Sequence, residues 1–136
     1  MAKTTMTTET PDFSKLLGLD PDEVVTHSYV RDVPLASGKT LALITLDNDR
    51  DYTRPNTLGP QTLVELGERL DELTARAAAG EIDGVAITGK QFIFAAGADL
   101  SRVGDIPDFE TGLLMAQLGH HVLGKLGELG VPSFVF

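Results

Sequence analysis

One stretch near the middle of the chain combines small residues with a carboxylate. It is Phe92–Ser101, FIFAAGADLS, which passes from an apolar, aromatic run through Ala-Ala-Gly-Ala to Asp99. Free backbone N–H groups at such a turn point outward, and the start of a following helix adds partial positive charge. Together these groups can polarise a carbonyl oxygen, as an oxyanion hole does. The alternative is that Asp99 simply caps the helix, and the stretch taken alone favours that interpretation.

A second candidate is a possible phosphate-binding loop, GVAITGKQ (Gly84–Gln91). Its spacing is similar to G-x-x-x-x-G-K-[ST], but Gln91 stands where the Mg²⁺-binding hydroxyl belongs. Its four central residues also predict a strand, whereas the motif needs a glycine-rich loop that leads into a helix. We therefore do not expect nucleotide triphosphate chemistry.

Two further patterns contain metal-ligand residue types. His120 and His121 are adjacent, but no Asp or Glu lies at a ligand spacing around them. Asp47, Asp49 and Asp51 alternate as in a calcium loop, which would also need a glycine and a terminal Glu that are missing here. We therefore predict no metal site, a packing or surface role for the histidines, and a solvated turn for the aspartates.

The composition restricts the class of partner. The 136 residues are 42% hydrophobic and 23% charged, which is typical of one globular domain. The net charge is −9 and the 11 Lys and Arg are scattered, so we expect no nucleic-acid partner. No apolar run approaches the roughly 18–20 residues of a membrane span, and the N-terminus lacks the apolar core of a secretory signal. We expect no membrane partner and a cytoplasmic location, with which the absence of cysteine agrees.

The first half of the chain contains the elements that precede the Ala-rich turn, Phe94–Ala98. Residues 1–20 are rich in Thr and show no periodicity, which predicts a flexible segment. Val24–Val33 and Thr40–Leu46 predict a β-hairpin whose second strand is the more buried. Pro60 suits the first turn of a helix with a Leu stripe, and Gly80 suits its C-terminus.

The second half continues the alternation of strands and helices. It predicts a strand at Gly84–Gly89 and a short helix at Asp99–Val103. A longer helix follows at Phe109–Leu129, and a final strand begins at Pro132. Asp108 is placed to cap the longer helix. The glycines of that helix predict close packing, at Gly112, Gly119, Gly124 and Gly127. The order predicts an α/β fold, and the apolar final strand, which needs partners, predicts that residues 21–136 are the N-terminal part of a larger domain.

Several stretches in register resemble one family. They are LALITLD (Leu41–Asp47), RPNTLG (Arg54–Gly59), the Leu-striped helix, IDGVAITGKQFIFAAGADLSRV (Ile82–Val103) and LGVPSFVF (Leu129–Phe136). Over about residues 25–136 the chain resembles the N-terminal half of the enoyl-CoA hydratase/isomerase, or crotonase, family. The family pattern Phe-x-Ala-Gly-Ala-Asp-Leu is matched in full by Phe94–Leu100.

The resemblance implies a fold and a function. The fold is α/β, a crotonase-like spiral of ββα units of which this chain holds the N-terminal part, and full-length members assemble as homo-trimers or hexamers. The activity implied is that of an enoyl-CoA hydratase/isomerase of fatty-acid β-oxidation, which stabilises the enolate of an acyl-CoA thioester and hydrates its 2,3 double bond. Coenzyme A is part of the substrate, and no separate cofactor is expected.

The resemblance also implies site residues. The N–H of Ala98 corresponds to the first oxyanion-hole donor. Substrate-binding positions follow: Ala96, Gly97, Thr57 and Leu58 around the adenine and pantetheine, and Arg54 or Lys90 at the CoA phosphates.

The chain departs from the family pattern at three places. Gly59 stands where the family has Asn, and the loop Asp47–Arg54 is longer than usual, as in multifunctional enzymes that join a hydratase/isomerase to a 3-hydroxyacyl-CoA dehydrogenase. The second oxyanion donor and both catalytic glutamates are expected after Phe136. Six glutamates fill neither role: Glu65, Glu68, Glu72, Glu81, Glu110 and Glu128.

Other functions stay open at this point. The 136 residues alone are expected to be inactive as a hydratase, because they supply one donor and no assigned acid or base. The alternatives are a non-catalytic module for CoA binding or subunit association, and a family member with other acyl-CoA chemistry, such as an isomerase or a thioester hydrolase.

Overall fold

The computed structural model describes residues 9–136, which form a mixed four-stranded sheet and two α-helices. The strands are β1 His27–Pro34, β2 Thr40–Asp47, β3 Gly84–Gly89 and β4 Ser133–Val135. The helices are α1 Pro60–Ala78 and α2 Phe109–Gly124, with short 3₁₀ helices at Phe13–Leu16, Leu100–Asp105 and Lys125–Glu128.

The strands lie side by side in the order β1-β2-β3-β4. The predicted hairpin is confirmed: β1 and β2 are antiparallel, with Val30 opposite Ile44. Strand β1 begins at His27, three residues later than its apolar pattern suggests. β3 runs parallel to β2, with Ile87 opposite Ile44, and β4 runs parallel to β3. Parallel neighbours need crossover connections, which α1 and α2 provide.

The core lies between the sheet and the two helices. Alternate residues of β2, the Leu stripe of α1 and two residues of α2 meet there, at Ala42, Ile44, Leu46, Leu63, Leu66, Leu70, Leu73, Leu118 and Val122. Ile44 and Leu70 have no exposed surface, and burying one such side chain stabilises the fold by about 1.5–3 kcal/mol. The spacing of leucines in α1 therefore fixes which face of the helix covers the sheet.

Helix α2 differs in two ways from its sequence pattern. The predicted helix Phe109–Leu129 is α-helical only to Gly124, because its last turn tightens into a 3₁₀ helix. The close packing predicted at its glycines is wrong. A side chain at Gly119, Gly124 or Gly127 would meet nothing within 4 Å, and one at Gly112 would make only ordinary contact. The close approach comes from the other helix, where a Cβ on Gly67 of α1 would lie 3.3 Å from Val122.

The N-terminal residues include a packed element. Residues 1–8 of the predicted flexible segment 1–20 lie outside the described residues. Within the remainder, Asp12 caps the 3₁₀ helix Phe13–Leu16, and Leu16 is 1% exposed in the core. The flexibility of this segment and the boundary at residue 21 stay predictions. Across residues 9–136, no helix combines the length and the apolar character that crossing a membrane requires.

Candidate active site

The Ala-rich turn runs beside the segment that leads into α1. Ala96 donates its N–H to the carbonyl of Asn56 at 2.8 Å, and Leu58 donates to the carbonyl of Gly97 at 2.9 Å. Gly97 has φ +85°, a conformation that favours glycine. No residue among 9–136 accepts the N–H of Ala98 in a backbone hydrogen bond. The turn therefore leaves this donor available to a ligand.

Asp99 has the structural role that the sequence offered as an alternative. It is the N-cap of the 3₁₀ helix Leu100–Asp105 and accepts the N–H of Ser101 at 3.0 Å. The hydrogen bond from the Ser101 hydroxyl, joined by the backbone bond, holds the pKa of Asp99 below its ordinary value. The two interpretations of the stretch are compatible, since the cap uses Asp99 and leaves Ala98 free.

Ala98 lies on two clefts that share part of their lining. The first has a volume of about 220 Å³ and the second about 270 Å³. Both are bordered by Leu58, Gly59, Pro60, Ala98 and Met115. The second cleft has an apolar lining, completed by Leu63, Ala116, Leu118, Gly119 and Leu123. Ala98, whose N–H has no described backbone acceptor, therefore borders a cleft with an apolar lining.

The first cleft is bordered by acidic side chains as well as apolar ones. They are Asp20, Asp22, Glu23, Asp99 and Asp105. Arg102 borders it too, but its guanidinium lies 3.3 Å from Asp20 and 3.5 Å from Asp105, so its charge is already paired. Residues 19–24, which come from the N-terminal part of the chain, thus form one side of this cleft.

Glu23 connects that side of the cleft to the start of α1. Its carboxylate accepts the N–H of Gln61 at 3.0 Å and 3.3 Å. A Cβ on Gly59 would lie 1.9 Å from Glu23 Oε1, so any larger residue there would require the carboxylate to shift from this position. Burial raises the pKa of Glu23 and outweighs the hydrogen bond from Gln61, which lowers it. Glu23 could not be identified from the sequence, because nothing local relates it to Gln61, 38 residues away.

Thr26 fixes the segment that carries Thr57 and Leu58. Its hydroxyl donates to the carbonyl of Thr57 at 2.8 Å, and its N–H donates to the Thr62 hydroxyl at 2.9 Å. Thr26 and Thr62 are completely buried. Because buried polar groups are costly unless paired, these bonds hold residues 57–62 in one position beside β1.

Asn56 fixes the other end of the same segment. The NH₂ group of its side chain donates to the backbone carbonyls of Leu46 and Phe94, both at 2.8 Å. The side-chain oxygen Oδ1 accepts the N–H of Asn48 at 3.0 Å. Asn56 is completely buried. It thereby joins the end of β2 to the Ala-rich turn, a role for which the sequence carries only the motif RPNTLG as a signal.

Gly89 explains how the turn can lie so close to β3. A Cβ there would stand 2.2 Å from the carbonyl oxygen of Ile93 and 2.4 Å from Cα of Phe94. Both atoms belong to the backbone, so they cannot move aside as a flexible side chain does. The chain therefore folds back over the end of β3 only because this residue is glycine.

Neither predicted phosphate-binding residue borders either cleft: Arg54 lies on the loop before α1, and Lys90, which follows β3, contacts that loop through its side chain. The ammonium of Lys90 donates to Asn48 Oδ1, to the carbonyl of Arg50 at 2.9 Å and to that of Arg54 at 2.7 Å. Arg54 is exposed. The structure therefore brings together Ala98, Thr57 and Leu58, with Ala96 and Gly97 hydrogen-bonded alongside, and leaves Arg54 and Lys90 at the loop.

The described part of the chain contains no group of three His, Asp or Glu side chains that could hold a metal ion. His27 lies 3.0 Å from Glu65 and 3.8 Å from Asp49, at the surface. The ring of His121 lies 5.6 Å from that of Phe13. His120 and His121 are both exposed.

Comparison with known proteins gives a curated relative. No family model matches the chain. The fatty acid oxidation complex subunit alpha of Shewanella amazonensis is 34% identical over 92 residues. The match covers 68% of this chain and 12% of that protein. The chain thus spans only a small part of the curated relative that it matches.

Solved structures with the same fold cover most of the chain. Pseudomonas aeruginosa DspI superposes with a TM-score of 0.61 at 23% identity, over 82% of this chain and 41% of that one. An enoyl-CoA hydratase from Shewanella pealeana gives 0.60 at 19% identity, over 79% and 38%. The enoyl-CoA hydratase of Bacillus anthracis gives 0.60 at 22% identity, over 78% and 38%.

These matches confirm the predicted resemblance and the predicted fold class. The solved neighbours include structures described as enoyl-CoA hydratase/isomerase, or crotonase, and the chain covers about 40% of each. The α/β fold is therefore the N-terminal part of that architecture.

Proposed function

Because the chain has the N-terminal part of the fold of the enoyl-CoA hydratase/isomerase (crotonase) family, we propose that it binds an acyl-CoA thioester within an enzyme of fatty-acid β-oxidation. The observation that carries this proposal is Ala98, a residue that borders an apolar cleft and whose N–H no described backbone group accepts. The relation to a fatty acid oxidation complex subunit supports the same class of substrate.

In the proposed mechanism the Ala98 N–H binds the thioester carbonyl. Negative charge grows on that oxygen as the enolate forms, so a donor fixed in advance stabilises the transition state more than the ground state. One such donor is worth about 3–4 kcal/mol. Asn56 and the Leu58–Gly97 bond hold the turn rigidly, so that little reorganisation is needed during the reaction. The apolar lining of the second cleft suits an acyl chain, at about 0.8 kcal/mol for each buried CH₂.

The remaining machinery is proposed from the resemblance. The second donor and the carboxylates that add water across the 2,3 double bond are expected after Phe136. Thr57, Leu58, Ala96 and Gly97 are proposed to line the pantetheine, and coenzyme A serves as part of the substrate with no separate cofactor. A homo-trimer or hexamer in the cytoplasm belongs to the same proposal.

A contact with the CoA phosphates is proposed for Arg54 and Lys90. Arg54 is exposed and can reach a ligand without breaking a described ion pair. Lys90 would first have to exchange some of its three bonds to loop oxygens. Arg54 is therefore the better candidate of the two.

The test replaces the proposed donor in the complete protein that contains this chain. Ala98→Pro removes the N–H, and the matched control Ala98→Gly keeps it. We expect the proline variant to lose about 10²–10³ in kcat for crotonyl-CoA hydration, and the glycine variant to lose far less. Equal activity of the proline variant and the wild type would contradict the assigned donor.

A second experiment separates the enzyme from a non-catalytic binding module. We expect the purified 136 residues to bind butyryl-CoA in a calorimeter but to hydrate crotonyl-CoA at a negligible rate. Hydration near the rate of a complete hydratase would refute the proposed division of the site. A complete protein that binds the thioester without any turnover would support the module.

A further inference from the structure

Helix α1 lacks a cap of its own at the position where it needs one. Its N-cap is Gly59, which makes no side-chain hydrogen bond, and its first turn holds no acidic residue. The first N–H groups of a helix have no partner within the helix. Pro60 has no N–H, so Gln61 is the first residue with a donor to satisfy.

Glu23 supplies the missing acceptor from outside the helix. Its two carboxylate oxygens lie 3.0 Å and 3.3 Å from the Gln61 nitrogen, in the place that an N-cap side chain normally occupies. Gly59 leaves space for the carboxylate where it lies, since a Cβ at this position would stand 1.9 Å from Glu23 Oε1. A side chain at position 59 would therefore displace the Glu23 carboxylate from its present position.

The contact also attaches a side of the first cleft. Leu19, Asp20, Asp22, Glu23 and Val24 border the cleft that contains Ala98. Other contacts hold this segment at its two ends and at Asp20. Leu16 packs in the core before it, Asp20 pairs with Arg102, and Thr26 after it bonds to Thr57 and Thr62. Within residues 19–24 the Glu23 carboxylate makes the described hydrogen bond to α1, and Thr26 adds a second bond to α1 two residues further on.

We propose that Glu23 is a positioning residue, which caps α1 across space and thereby holds residues 19–24 as a wall of the cleft at Ala98. The inference rests on the proposed function in so far as this cleft receives the acyl-CoA. It assigns a functional role to the N-terminal segment, whose residues Leu19 and Val24 offer apolar surface to the ligand.

The test is a double-variant cycle with two readouts, urea unfolding and butyryl-CoA binding by calorimetry, on the 136-residue chain. Glu23→Ala removes the cap and releases the wall. We expect an about fivefold larger unfolding constant, the usual effect of a lost cap, and about fivefold weaker binding. Glu23→Gln, the matched control, keeps an acceptor for Gln61 and is expected to resemble the wild type in both.

The double variant Glu23→Ala/Gly59→Asn separates the two roles. Its new asparagine side chain can cap α1 in the space that Glu23 vacates, since asparagine is among the best N-caps. We expect stability to return to the wild-type value while binding stays weak. Recovery of both would reduce Glu23 to a helix cap and overturn the inference, as would unchanged binding in Glu23→Ala.

Hydrogen exchange distinguishes failure of this inference from failure of the proposed function. If the wild type binds no acyl-CoA, the proposed function is refuted, but the amides of residues 19–24 still report on the wall. Faster exchange there in the double variant, with α1 as protected as in the wild type, supports the role of Glu23. Unchanged exchange in residues 19–24 overturns it.

Discussion

Replacement of Asn56 by alanine is predicted to remove a central part of the site. The substitution deletes three hydrogen bonds, to the carbonyls of Leu46 and Phe94 and from the N–H of Asn48. A net loss of about 1 kcal/mol for each bond gives about 3 kcal/mol, and partners left unsatisfied in the interior raise this to about 5 kcal/mol. This is a large share of the roughly 5–15 kcal/mol by which small domains are stable.

The assay is urea unfolding of wild type and variant, with the free energy extrapolated to water. Gln91→Ala is the matched control, because Gln91 is exposed and lies in the connection after β3 that also contains Phe94; it is expected to change stability by less than about 0.5 kcal/mol. Asn56→Asp should also be destabilised at neutral pH, since a carboxylate cannot donate to two carbonyls. A loss below about 1 kcal/mol in Asn56→Ala would refute the assignment of Asn56 as the link between β2 and the Ala-rich turn.

Three further substitutions test the packing and the surface charges. Gly89→Ala should destabilise by about 3 kcal/mol or more, because its Cβ meets backbone, whereas the control Gly119→Ala should stabilise α2 by up to about 1 kcal/mol; thermal unfolding measures both. Leu70→Ala should cost about 2–5 kcal/mol in guanidinium unfolding, because Leu70 has no exposed surface. The hydrogen bond from Arg76 lowers the pKa of Asp32 in the folded protein below its ordinary value of 3.8. The pair therefore stabilises the fold above pH 3.8, and this contribution is lost as the pH falls through the pKa of Asp32 in the folded protein. Asp32→Asn should remove this small part of the acid sensitivity, as followed by circular dichroism, and the effect should shrink in high salt because both side chains are partly exposed.

The elements with strong local signals could be predicted from the sequence. Pro60 begins α1 because a missing N–H costs nothing there, and Gly80 follows its end with φ +75°. Strand β3 has the predicted bounds Gly84–Gly89, and Asp108 caps α2 by accepting the N–H of Thr111 at 2.7 Å. In each case the residue and its partner lie within a few positions of one another.

The contacts that hold the site together could not be predicted in the same way. Glu23 and Gln61 are 38 residues apart, as are Asn56 and Phe94, and no periodicity relates such pairs. The spacing of apolar residues indicates which face of an element is buried, but it carries no information on where a single polar side chain finds its partner. The glycines of α2 are a further example. Their number predicted that α2 would make the close contact between the helices, but Gly67 of α1 makes it.

The three hydrogen bonds of Lys90 have a consequence for the chemical reactivity of the chain. An acylating reagent must reach the side-chain nitrogen, and the nitrogen of Lys90 is surrounded by the three oxygens to which it donates, so these bonds must break before it can react. Lys39, by contrast, is exposed at the hairpin turn. The ratio of acylation at Lys90 to acylation at Lys39 therefore measures how often the loop before α1 opens. Chemical labelling of these two lysines can follow the motion of a loop that precedes the proposed site.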